Sequence, residues 1–195
     1  MRFCVVLGFI LFSQMSLGQT ACPVDFQKFE DFVDTKITLD SSCPYGKDVL
    51  ISAFDIGLGR ICDVNPNLVM GITTFSLKRD LTVICDVGTS RDSSPYFLLS
   101  KSEIHLRQTG PENVKTRATF IHEFLHYVGL PYDRTVHEAA ETGIEQDPVF
   151  ACHFTAFPEI LWPTDDLEAA QNTCGTRISY CNDGNICWTH EDQQG

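Results

Sequence analysis

The sequence predicts an α+β fold, with a small mixed sheet packed on one long helix and a disulfide-rich, irregular C-terminal part. Three observations predict it. The chain of 195 residues is the size of one ordinary domain, large enough to bury most of its apolar surface. Short β-branched runs precede a single, strongly periodic helical stretch. Behind that stretch, Gly, Pro, Asp and aromatic residues are scattered among Cys152, Cys174, Cys181 and Cys187.

Taken in order, Val24 leads into Phe26, Phe29 and Phe32-Val33, which fall at steps of three and four, the spacing of a short helix packed on one face. Asp48 to Phe54 and Leu81 to Val87 are short, apolar and β-branched, and Met70 to Ser76 is similar, so all three read as strands of one sheet. Ser102-Glu103-Ile104-His105-Leu106 alternates as an edge strand does, which leaves His105 facing solvent. Gln108-Thr109-Gly110-Pro111 then breaks the chain. Between Asn113 and Val128, the residues Val114, Ala118, Ile121, Leu125 and Val128 form one helical stripe, and Gly129 and Pro131 end it. Beyond it, only a short helix around Asp165 to Ala170 interrupts the irregular, cross-linked structure expected there.

Composition excludes several functions. With 26 acidic against 14 basic residues and a net charge of −12, the chain lacks the basic stripe that neutralising phosphates requires, and an anionic membrane surface repels it. Nucleic acid is therefore not an expected partner. The 43% hydrophobic content argues against disorder. No apolar run reaches the roughly 20 residues that span a bilayer.

Residues 1 to 18 read as an export signal: Arg2, an apolar run from Phe3 to about Phe12, then Ser16 and Gly18 as the small residues of a cleavage site that leaves Gln19 first. A lipoprotein reading at Cys22 is disfavoured because Gln19-Thr20-Ala21 lacks the large aliphatic residue expected ahead of the cysteine. Removing the signal discards Cys4, and the remaining cysteines form an even set: Cys22, Cys43, Cys62, Cys85, Cys152, Cys174, Cys181 and Cys187. An even set in an exported chain predicts disulfides, with Cys181 to Cys187 favoured by local closure.

The chemistry lies inside the periodic helix, in His122-Glu123-Phe124-Leu125-His126. Histidines four apart share one helical face, so both imidazoles can reach one ion. Glu123 is turned aside from them and can serve as base to a metal-activated water, then pass the proton to a leaving amine. A structural zinc is normally closed by four protein ligands, whereas this motif supplies two beside an unligated carboxylate.

The stretch Thr119-Phe120-Ile121-His122-Glu123-Phe124-Leu125-His126-Tyr127-Val128-Gly129-Leu130 resembles the active-site helix of zincin metallopeptidases. Gly129 resembles the glycine at which the metzincin branch ends that helix and turns back with a third ligand. The resemblance implies a zincin-like domain over residues 19–195, hydrolysis of peptide bonds, zinc on His122 and His126, and Glu123 as general base and acid. It also implies that Ile104-His105-Leu106 is the antiparallel edge strand that holds substrate backbone by strand addition. The chain departs from the metzincin pattern in two places. Tyr132 stands where the next ligand belongs, and no methionine follows the motif, since only Met1, Met15 and Met70 occur.

A third ligand is therefore sought by chemistry. His137 is favoured, because imidazole is the commoner partner in such a site and a lengthened loop can return it; Asp133 and a glutamate from Glu138, Glu141 or Glu145 are the alternatives. His153 is expected to pack beside Cys152, and His190 to sit in a polar tail. Tyr127 and Tyr132 are expected in the core or at a rim, with polarisation of the scissile carbonyl as the lesser role. The resulting expectation is a secreted, monomeric zinc metalloprotease acting on proteins or peptides. The rivals are an exported zinc-binding protein without turnover and a metal-dependent amidase of cell-wall peptides.

Overall fold

The computed structural model describes residues 22–88, 94–108, 113–130, 147–161, 165–181 and 186–188. The export signal, Tyr132, Asp133, His137, Glu138, Glu141, Glu145 and His190 all lie outside the described residues. The architecture is mixed α+β, as the sequence predicts. Helix α1 (Gln27–Lys36) leads into strand β1 (Ile37–Leu39), and a helical run follows: α2 (Lys47–Ala53), a π turn (Phe54–Leu58), α3 (Gly59–Val64), α4 (Pro66–Gly71) and a second π turn (Ile72–Ser76). Strands β2 (Leu81–Val87), β3 (Tyr96–Leu98) and β4 (Glu103–Arg107) precede the central helix α5 (Val114–Tyr127). Helix α6 (Pro148–Ala156), a 3-10 turn (Pro158–Ile160), helix α7 (Leu167–Thr176) and the ribbon β5 (Ile178–Tyr180) and β6 (Ile186–Trp188) complete the described chain.

Two segments expected as strands are helical. Asp48 to Phe54 belongs to α2 and its π turn, and Met70 to Ser76 to the end of α4 and the second π turn. The buried residues show why: Val49 with Leu50, Ala53 with Phe54, Gly57 with Leu58 and Ile61 with Cys62 are apolar pairs spaced four apart, a helical period that a seven-residue window hides. A strict repeat of four outruns the 3.6-residue α turn, and the wider π turn takes up the difference so that one face stays inward. Asn65, whose side chain accepts from Leu68 N–H, and Pro66 at the first helical position give α4 an ordinary start signal. The C-terminal part also holds more helix than expected. Asp147 caps α6 by accepting from the N–H groups of Val149 and Phe150, and Asp166 caps α7 through Ala169 N–H.

The sheet order is β1-β2-β4-β3, with β1, β2 and β4 parallel and β3 antiparallel to β4. The edge strands are thus β1 and, on the side of α5, β3, and β4 lies inside the sheet. The expectation of an edge at Ser102 to Leu106 fails because its alternation marks two covered faces: Ile104 and Leu106 are buried, and so is His105. Helix α5 packs against α2, the first π turn, β3, β4 and α6, so it is apolar on more than its predicted stripe, adding Phe120, Phe124 and Tyr127 to the buried set. Phe54 lies edge-on to Phe120 and Phe124 at 5.2 and 4.7 Å, and Phe29 and Phe32 close the cluster from α1. Gly57 lets the π turn approach closely, since a Cβ there would stand 2.9 Å from Phe157 and 3.0 Å from Ile121.

Four disulfides brace this frame: Cys22–Cys62, Cys43–Cys85, Cys152–Cys174 and the expected Cys181–Cys187. Among the described residues no helix is long and apolar enough to cross a membrane.

Candidate active site

The end of α5 sets one histidine. Gly129 takes a positive φ of 107°, and the turn it permits closes two bonds, Gly129 N–H to His126 C=O at 3.0 Å and Leu130 N–H to Leu125 C=O at 2.9 Å. That pair is the Schellman arrangement, open to glycine because it carries no Cβ. The same turn brings the Leu130 carbonyl 3.2 Å from His126 Nδ1. A carbonyl only accepts, so Nδ1 carries the proton and Nε2 keeps its lone pair for a cation. Burial also lowers the His126 pKa, with the Leu130 carbonyl working against it, which favours the neutral imidazole.

His122 lies one turn earlier on the same face, its ring centroid 5.1 Å from that of His126. Helix α6 walls it in: Phe150 stands 4.7 Å away and His153 meets it edge-on at 5.0 Å. His153 packs as expected, but against the motif itself. Its Nδ1 is buried without a hydrogen-bond partner, and burial pushes its pKa down to about 4, an effect that the Ala118 carbonyl partly offsets. The ring is therefore neutral across the physiological range.

Glu123 is buried, 5% exposed, under strand β3. Burial pushes its carboxyl up to about 8, and the Phe97 backbone N–H beside it opposes the rise. The edge strand therefore directs a main-chain donor at Glu123. His105, expected to face solvent, is buried with Nδ1 2.9 Å from Asp86 Oδ1 and Nε2 3.4 Å from Glu103 Oε2, and its ring stacks on Tyr96 at 4.4 Å. It supports the edge strand from behind. Tyr127 belongs to the core: its hydroxyl donates to the Arg79 carbonyl at 2.8 Å, and Arg79 in turn donates to the Tyr127 carbonyl.

These residues line a cleft. A cavity of about 930 Å³ lies between β3 and the end of α5 and takes in His122, Glu123, His126, Tyr96, Phe97 and Arg79. Of the large apolar side chains left exposed, Phe75, Tyr96 and Leu99 stand on its rim. Sequence reasoning missed Phe97, Phe150 and the edge at Tyr96 to Leu98. Their contribution is a backbone group or a packing surface, and neither has a motif. Three residues of strand are also too few to show a period.

Among the described residues, no group of three or more His, Cys, Asp or Glu side chains is arranged to hold a metal ion. His122 and His126 fit zinc as two donors of one helical face, with the His126 tautomer already set for it. His137, Asp133 and the glutamates considered for the third place fall outside the described residues. Compared with protein-family models, curated proteins and solved structures, the chain matches none.

Proposed function

We propose that the chain is a secreted, zinc-dependent metalloendopeptidase of zincin type. One observation carries the proposal: a buried glutamate sits between a two-histidine helical face and the main chain of the edge strand β3, in a cleft. Zinc, when bound, supplies Lewis acidity that polarises a carbonyl and acidifies water. His122 and His126 would hold it, with His137 the favoured further ligand. A cation beside Glu123 favours its ionised form over the protonated form that burial imposes. Glu123 then takes a proton from the attacking water and returns it to the leaving amine. The outer edge of β3, which has no strand partner among the described residues, would bind an extended substrate by strand addition, a role supported by the Phe97 N–H beside Glu123. Four disulfides suit an exported protease, which must itself resist cleavage.

Replacing Glu123 tests this reading. Glu123→Gln should lower hydrolysis of unfolded casein by about 10²- to 10⁴-fold while bound zinc and the circular-dichroism spectrum of the folded protein stay unchanged. Wild-type protein that holds one zinc yet cleaves no unfolded protein or cell-wall peptide would establish a zinc-binding protein without turnover.

A further inference from the structure

The cleft does not end at His122. The cavity of about 930 Å³ shares Ser94, Pro95, His122, Glu123 and Phe150 with a second of about 500 Å³, so the trough passes over the motif. The second shares Lys115, Thr119, Phe150 and His153 with a third of about 490 Å³. Phe150 is common to all three. A trough this long suits an extended chain rather than a single amino acid.

The third cavity differs in character from the other two. Neither His122 nor Glu123 lines it. Phe150, Phe154 and Ile160 give it an apolar wall, and Thr119 adds a methyl group. The charged members are Lys115, which is exposed, and Asp165. Its wall is firm: Phe154 packs on Phe150 at 5.6 Å and on His153 at 5.5 Å, and Cys152 between them is tied to α7 by its disulfide. A volume near 490 Å³ falls within the roughly 300–1,000 Å³ of ordinary ligand pockets. An apolar wall offers water few partners, so filling it with an apolar group is favourable.

We infer that the cavity between the first half of α5, helix α6 and the 3-10 turn is a substrate subsite for one large apolar side chain. Phe154 and Ile160 set its preference. Because the second cavity separates it from Glu123, the residue it reads lies off the scissile bond. The inference rests on the peptidase reading and adds to it the class of side chain recognised.

The test uses the full chain carrying Glu123→Gln, so that peptides bind without being cut, and alanine-rich peptides in which one phenylalanine is moved along the sequence. Affinity by fluorescence anisotropy should rise about tenfold or more when phenylalanine reaches one position. Ile160→Trp, which fills the cavity, should erase that gain and leave the all-alanine parent unchanged. Phe154→Ala, which enlarges it, should move the preference toward tryptophan; either variant alone decides if the other fails to fold. Equal affinity at every position, or a gain that survives the filled cavity, overturns the subsite. Cleavage of all the peptides by wild-type protein without preference overturns the subsite alone, whereas absence of both binding and cleavage overturns the peptidase reading with it.

Discussion

The two walls of the cleft are built in opposite ways. The β3 wall is three residues long, pairs among the described residues with β4 alone, and contributes main chain: the Phe97 N–H beside Glu123 and the outer edge of the strand. Of its side chains Tyr96 is 46% exposed, while Phe97 turns inward to meet Tyr127 edge-on at 5.8 Å. The α6 wall is a nine-residue helix, buried at almost every position, and contributes side chains: Phe150 and His153 against the His122 ring. It is anchored at several points: Asp147 caps its start, Cys152 is bridged to Cys174, and Arg60 reaches both the Ala156 carbonyl at 3.0 Å and the Glu159 carboxylate at 2.7 and 2.9 Å. The difference separates two tasks. Under the proposed function, main chain would pair with any extended substrate without reading its sequence, while the side chains of α6 hold the His122 imidazole and would shape specificity.

The largest way to break this asymmetry is through the disulfides. Closing longer loops restricts the unfolded chain more, so replacing both cysteines of Cys43–Cys85, 42 residues apart, should cost about 4 kcal/mol. The same change at Cys152–Cys174, 22 apart, should cost about 3 kcal/mol, and at Cys181–Cys187, six apart, about 2 kcal/mol. Thermal unfolding measures the order. The Cys152–Cys174 variant should also lose zinc affinity at temperatures where it remains folded, because the wall around His122 loosens; unchanged affinity would show that α6 holds its place without the bridge.

The asymmetry also explains what the sequence made legible. Helix α5 was readable because its stripe and its glycine stop act within about sixteen residues, and the motif is local to it. The fate of Asp48 to Phe54 was not, because β-branched residues in a short window suit a strand, and only the pairing of apolar residues through Cys62 reveals the helix. The sheet edge depended on strand order, which is a long-range property. Alternation in Glu103 to Arg107 carries no sign of whether β3 covers it. His153 stands 27 residues from His126 in sequence and beside His122 in space, a proximity set by the packing of α6 on α5.

The next effect concerns pH and contrasts Glu123, the buried group of α5 that the β3 wall covers, with His153 of the α6 wall. Glu123, with its carboxyl raised to about 8 from an ordinary 4.5, stays protonated in the folded, metal-free protein while the unfolded chain ionises. Its contribution therefore falls as pH climbs from about 4.5 to about 8. His153, lowered to about 4 from 6.5, stays neutral when folded while the unfolded chain takes up a proton. Its contribution is complete above about 6.5 and is lost as pH falls toward about 4. Where the two windows overlap, between about 4.5 and about 6.5, the slopes oppose each other, each about 1.4 kcal/mol per pH unit at most, and above about 6.5 that of Glu123 acts alone. Unfolding in a chelator should show that Glu123→Gln removes the decline above about pH 6.5 and unmasks the acid loss due to His153, whereas His153→Phe leaves stability rising as pH falls toward about 4.5. A decline that survives its own substitution would assign it to other groups.

The smallest effect lies in the support of the edge strand. Tyr96 stacks on His105 with ring planes 10° apart, and His105 stands between the carboxylates of Asp86 and Glu103. An aromatic pair of this kind is worth about 0.5–1.5 kcal/mol beyond its burial. In a double-mutant cycle of Tyr96→Ala and His105→Ala, the coupling energy in unfolding should fall in the lower part of that range, since Tyr96 is half exposed. Peptide hydrolysis supplies the sharper reading. A strand that loses its backing but keeps its pairing to β4 should raise KM with little change in kcat, because it binds the ground state and the transition state alike. A fall in kcat at unchanged KM would instead show that the stack positions Phe97 against Glu123, making the β3 wall part of the chemistry.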